Sequence, residues 1–300
     1  MSVSLCSMLR NIGVTKPVNI PRSFHAFPRN GSLRAAIKAM EDVDIDRWEM
    51  TSESQFHNYE WSDEFQGLTH DDQHWYISRT FNISKHNSYF EKIHEIGIPS
   101  DLEKEGYNHF GDIDFYNGHL YIPIEHENWE RDPIVLVLDS NLVEIEHKAL
   151  SKHRAAPWCA INPWNGYLYS SEFHNVSKLY AYDPENDFEF ITTLELKNPD
   201  GVIDEVQGGC FSKNGRLYLT SDITQEIRCY SVLNGCFMGS RKVLYNPDSP
   251  DYFEMEGITL WRLIVDSAPV QIHVGIRDND WPDKDDLYLK HYSSSSPVMI

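Results

Sequence analysis

The chain has 300 residues, 41% hydrophobic and 13% aromatic, and a formal charge of −20. That is ample apolar material for a core, yet no apolar run approaches the ~18 residues of a membrane-crossing helix. The acidic field works against nucleic acid and anionic lipid, so a small-molecule substrate is expected, with no nucleic acid, no membrane and a monomeric chain.

The charge is unevenly divided. Residues 1–40 carry six Lys or Arg and no acid, leaving 20 basic against 46 acidic residues and a formal −26 for the rest. Such a head has the composition of an organellar presequence, but Pro17, Pro21 and Pro28 interrupt any amphipathic helix and only Arg10 is basic in the first fifteen residues. Residues 1–45 are read as a basic arm on an acidic body, in a cytoplasmic protein, with an organelle as the alternative address. Within it, Ser32 to Glu41 reads as a short helix behind a serine cap. Five cysteines (Cys6, Cys159, Cys210, Cys229, Cys236) form neither a Cys-x-x-Cys pair nor a zinc pattern, which suits a reducing compartment.

From residue 46 the pattern becomes β. An orphan strand-like segment at 47–52 precedes Gln66-Gly-Leu-Thr69, which turns at Asp72-Gln73 into Trp75-Tyr76. Three closer copies follow: Phe115-Tyr-Asn-Gly-His-Leu-Tyr121, Pro163-Trp-Asn-Gly-Tyr-Leu-Tyr169 and Phe211-Ser-Lys-Asn-Gly-Arg-Leu-Tyr218. Asn-Gly supplies the two positive φ angles of a tight hairpin turn. A fifth copy opens at Glu256-Gly-Ile-Thr259. Taking Gly67, Asp112, Ala160, Gly209 and Gly257 as equivalent gives spacings of 45, 48, 49 and 48 residues. A period of this size implies radially arranged small sheets.

Four strands are expected per repeat: 110–115, 120–125, 134–139 and 142–150 in the second, 158–162, 168–173, 178–183 and 188–196 in the third, and 207–212, 217–222, 226–231 and 237–244 in the fourth. The fifth repeat runs out after a strand at 287–292, so the orphan segment is expected to complete it and close the ring. The reading is all-β: a five-bladed β-propeller of four-stranded antiparallel blades over 46–292, with a tail at 293–300. A sixth blade from 1–45 is the alternative, against which the helical stretch argues. The Gln-Gly-Leu-Thr and Glu-Gly-Ile-Thr openings resemble those of gluconolactonase, phytase-like and plant-type glutaminyl cyclase propellers. That resemblance implies lactonase or other hydrolase, lyase or cyclase chemistry.

In such hairpins the start of the innermost strand and the end of the second lie on one face of the disc, around the channel mouth. Counting outward from each turn sets Phe110 opposite Glu125, His109 opposite His126, Cys159 opposite Glu172, Pro157 opposite His174, Gln207 opposite Asp222 and Gln66 opposite Arg79. Glu254, Arg277 and Asp278 are expected at the same mouth. Gln66, Asp112, Gln207 and Glu256 near the axis could offer oxygens to one divalent metal, Ca²⁺ first and Zn²⁺ second. His109, His126 and His174 with Glu125, Glu172 and Arg79 form the candidate catalytic set, because imidazole titrates near neutrality. His70 and His74 straddle a turn rather than a helix and are read as structural, and the acidic run from Asp278 to Asp286 reads as a solvated loop because Pro282 disrupts a calcium pattern. Two functions fit: an enzyme using a metal or a histidine–carboxylate set at the mouth, or a non-catalytic platform whose acidic face holds a protein or carbohydrate.

Overall fold

The inner strands carry the apolar alternation and the outer ones the charge, and this gradient sorts each repeat from axis to rim. In a computed structural model, residues 48–57, 59–213, 215–243, 253–265, 268–278 and 284–294 are described. The expected arm with its helix, most of the acidic run and the end of the tail lie outside them.

Blade 1 comprises β2 (Phe65–His70), β3 (Trp75–Arg79), β4 (Asn82–His86) and β5 (Lys92–Gly97). A five-residue helix, α1 (Ser100–Lys104), leads into blade 2, whose inner strand is split into β6 (Tyr107–Phe110) and β7 (Asp114–Tyr116). Both pair with β8 (His119–His126), followed by β9 (Ile134–Asp139) and β10 (Glu144–Ala149). Blade 3 has β11 (Ala160–Ile161), β12 (Leu168–Ser170), β13 (Lys178–Asp183) and β14 (Glu189–Glu195). Blade 4 has β15 (Gly208–Phe211), β16 (Arg216–Ser221), β17 (Glu226–Ser231) and β18 (Phe237–Lys242). Blade 5 is β19 (Phe253–Val265), β20 (Ala268–Asp278), β21 (Leu287–Ser294) and, outermost, β1 (Trp48–Phe56), which comes from the other end of the fold. The protein is thus a five-bladed propeller closed by the antiparallel β1–β21 pair.

Strand β9 is IVLVLD, buried except at its last residue because neighbouring blades cover both of its faces. Its outer neighbour β10, EIEHKA, is largely exposed, and its charges make that edge unattractive for pairing with another chain. Five apolar clusters fill the five inter-blade gaps. Tyr76 and Leu120 lie between blades 1 and 2, Tyr121 and Leu168 between 2 and 3, Leu179 and Leu217 between 3 and 4, Tyr218 and Ile272 between 4 and 5, and Trp75 and Leu289 between 5 and 1. Trp48 of β1 is fully buried, with its ring centroid 5.1 Å from that of Tyr218. The closing strand therefore brings core as well as hydrogen bonds. The four described cysteines are buried and free, including Cys229 and Cys236.

The turns correct the expected registers. Asn117-Gly118 makes the two-residue turn, with φ of 52° and 86° and Tyr116 opposite His119. Around Asn165-Gly166 the loop is longer: Asn162 N–H donates to the Tyr167 carbonyl, leaving four residues in the turn and setting Ala160 opposite Tyr169. In blade 4, Ser212 N–H donates to the Arg216 carbonyl across three residues, and Gly208 faces Thr220. Asp72-Gln73 forms its two-residue turn, but a bulge at Gln66 sets Phe65, not Gln66, opposite Arg79. In blade 2 the break between β6 and β7 inserts one residue, so His109 faces Glu125 and Phe110 faces Ile124, and a second shift between Tyr107 and His109 sets Tyr107 opposite His126.

Candidate functional site

At the axis stands Asp112, with no exposed surface. Its Oδ1 accepts from Leu68 N–H of blade 1 at 3.1 Å, and its Oδ2 from Gly209 N–H of blade 4 at 3.1 Å and Ile258 N–H of blade 5 at 3.2 Å. Its own backbone pairs with blade 3, donating to the Pro157 carbonyl at 2.8 Å and accepting from Cys159 N–H at 3.1 Å. One residue of blade 2 therefore ties all five blades. Glycines make this approach possible: a Cβ on Gly257 would lie 2.7 Å from Asp112 Oδ1, and one on Gly67 would collide with Asp112 itself. Burial pushes the Asp112 carboxyl upward, and the backbone N–H groups that it accepts from oppose that shift.

Several other mouth acids hold backbone in the same way. Glu125 accepts from Ala156 N–H at 2.7 Å and from the Trp129 indole at 3.1 Å. Glu172 accepts from Arg154 and Ala155 N–H, each at 3.1 Å. Asp222 accepts from Met255 N–H at 2.8 Å, and Asp285 from Glu64 N–H at 3.2 Å. These carboxylates fasten the chain where it enters a neighbouring inner strand, since an entering strand has N–H groups not yet in a ladder.

A distinct group remains on the blade 5–1–2 sector of the mouth. His109 Nε2 lies 2.8 Å from Gln66 Oε1, so Nε2 carries the proton and Nδ1 keeps its lone pair. Among the described residues Nδ1 has no hydrogen-bond partner. Burial, reinforced by the Arg277 cation, pushes the imidazole down to about 4, which keeps it neutral. The Arg277 guanidinium is held by Glu254, lies 3.2 Å from Glu256 Oε1 and 3.8 Å from Asp285 Oδ2. Glu256 is 1% exposed, and burial drives its carboxyl well above the usual range despite Arg277.

The other expected members make other contacts. His126 Nε2 donates to the Glu105 carbonyl at 3.1 Å, and its ring meets Tyr107 edge-on. His174, exposed in the loop between β12 and β13, pairs with Asp204 at 2.8 Å. The Arg79 guanidinium donates to the Glu60 carbonyl. Gln207 is half-buried just before β15. Three of the four proposed metal donors, Gln66, Asp112 and Glu256, already face His109, backbone N–H groups and Arg277. Among the described residues no three His, Cys, Asp or Glu side chains gather as metal ligands. Sequence counting placed Glu254 and Arg277 at the mouth without assigning them a role. Asp285 was missed there because its contacts with Glu64 and Arg277 join blade 1 to blade 5, which no turn motif encodes.

No family model matches the chain, and no curated protein matches it by sequence. Solved structures share its fold. A luciferin-regenerating enzyme superposes with a TM-score of 0.50 at 12% identity, covering 83% of this chain and 99% of that one. A protein of unknown function from Bacteroides caccae gives a TM-score of 0.44 at 10% identity over 61% of this chain, which spans only 62% of that protein's length. The Dos1 propeller gives 0.41 at 10% identity, with 76% and 68% covered. At 12% identity the likeness to the luciferin-regenerating enzyme is one of fold.

Proposed function

We propose that the chain is an enzyme acting on a small polar substrate, sugar-derived or of lactone type, at the His109–Arg277–Glu256 sector of the mouth. The observation that carries this reading is a neutral imidazole, its Nδ1 lone pair unengaged, near an arginine that pairs with a buried carboxyl whose proton affinity is raised. A base and an acid pushed apart in this way are what proton transfer during ester opening, elimination or cyclisation requires. His109 Nδ1 accepts a proton from water or a substrate hydroxyl, Gln66 fixes the ring, and Glu256 supplies a proton to the leaving oxygen. Arg277 orients a carbonyl or carboxylate oxygen. A divalent ion is assigned no step; elemental analysis with a Ca²⁺, Zn²⁺ and chelator melting series tests for one independently.

The test is proton release from a panel of small lactones and esters. His109→Ala and Glu256→Gln should each abolish any turnover while leaving the melting profile cooperative, and turnover surviving in both variants removes this site. Because the imidazole stays neutral down to about pH 4, the acid limb of the rate profile should lie below pH 6.

A second reading is favoured by exposed apolar side chains on loops of the same face: Tyr59, Phe81, Trp129, Val202 and Ile223. Ringed around an acidic mouth, they suit a docking platform for a protein or carbohydrate. A glycan array probed with wild type and Trp129→Ala separates the readings, since the enzyme proposal expects no Trp129-dependent glycan retention.

A further inference from the structure

We propose that the crevice between blades 2 and 3, on the turn face opposite the mouth, is a second ligand site that takes an organic cation: an ammonium or guanidinium on an apolar stem. The crevice has a volume of about 690 Å³ and opens between the Asn117-Gly118 and Asn165-Gly166 turns. This lies within the ~300–1,000 Å³ common for small-molecule sites. Tyr116, Tyr121, Trp164 and Phe188 supply aromatic walls, and Glu146 and Glu185 supply carboxylates.

The walls are set in advance. Trp164 Nε1 donates to the Lys213 carbonyl at 2.8 Å, reaching blade 4. Its ring lies over Gly215, where a Cβ would come within 2.6 Å of the indole and where φ is +72°. Pro163 and Pro184 stiffen the two loops that carry Trp164 and Glu185. A fixed aromatic face beside carboxylates attracts a cation through the ring quadrupole and direct charge together. The crevice edge already holds one ammonium: Lys148 bonds to Asp187 and lies 3.9 Å from Glu146 Oε2.

The experiment is calorimetric titration of the full chain with agmatine, and with n-butylurea as an uncharged counterpart. Saturable one-to-one binding of agmatine is expected, with a raised melting temperature and no measurable binding of the urea. Trp164→Leu and Glu185→Gln should each weaken it about fivefold or more, and Glu254→Gln at the mouth should leave it unchanged. Tyr116→Leu replaces Trp164→Leu if that variant fails to melt cooperatively. The proposal is overturned by an absence of saturable binding, by equal affinity for n-butylurea, or by agmatine binding that Glu254→Gln removes and the crevice variants do not.

Discussion

Asp112 shows how one side chain can be decisive without touching a ligand. Its carboxylate accepts from three N–H groups on three different blades, in a space from which glycines have cleared every competing Cβ. Replacing it with Asn keeps the shape but turns an amide N–H₂ toward at least one backbone donor. That leaves a buried donor unsatisfied and loses a charge-assisted bond, at a cost of about 2–4 kcal/mol. Urea unfolding of Asp112→Asn at pH 7 should show this loss with an unchanged m-value; a loss below about 0.5 kcal/mol would mean that the axis is not held by this carboxylate. The sequence marked Asp112 as an axial residue and read it as a metal donor, because residue type and spacing do not reveal whether a carboxylate meets N–H donors, an ion or solvent.

At the scale of the element, the outermost strand of blade 5 governs closure. Trp48 enters the blade 4–5 core from the start of the fold, so truncating it opens a cavity where the ring is joined. Trp48→Ala should cost about 3–5 kcal/mol, and thermal unfolding should stay a single transition if all blades depend on the seam. A separate early transition would instead show blade 5 melting alone. The closing strand was legible because the fifth repeat lacked a partner and 47–52 was strand-like with none of its own. Strands β9, β13 and β17 were also legible to the residue, each being an apolar alternating run bounded by turn residues. Turn length was not. Asn-Gly closes a two-residue turn at Asn117, but Asn165-Gly166 ends a four-residue loop in which Pro163 and Trp164 also take part. A register error of one or two residues at a turn passes to every pair above it. In blade 3 it changes which residues pair beside Glu172 and His174, whereas His109 keeps its place because it reaches Gln66 of the neighbouring blade whichever residue faces it across β8.

Across the whole molecule, burial at five similar interfaces gives stability two opposing dependences on pH. His86 and His153 are buried in different blades, and burial pushes their imidazoles down to about 4 and about 3. The unfolded chain binds protons at these sites near pH 6.5. Their contribution is therefore complete at neutral pH and is lost as pH falls from about 6.5 toward the folded values, at roughly 2 kcal/mol each between pH 7 and 5. Asp114 acts in the other direction. Burial pushes its carboxyl up to about 7 while it accepts from Ile161 N–H at 2.7 Å, so the folded chain takes up its proton first. Its contribution is complete below about pH 4 and is lost as pH rises toward 7, again by roughly 2 kcal/mol. From these three groups wild-type stability should fall by roughly 2 kcal/mol between pH 7 and 5, while single variants expose the terms. His153→Gln should flatten the loss on acidification by roughly 2 kcal/mol and Asp114→Asn should steepen it by a similar amount. Urea unfolding of all three proteins at pH 7, 6 and 5 measures this. Parallel curves would show that these groups titrate alike in the folded and unfolded chains, and variants departing from the wild-type slope in opposite directions would trace the acid response to imidazoles and carboxyls enclosed between blades.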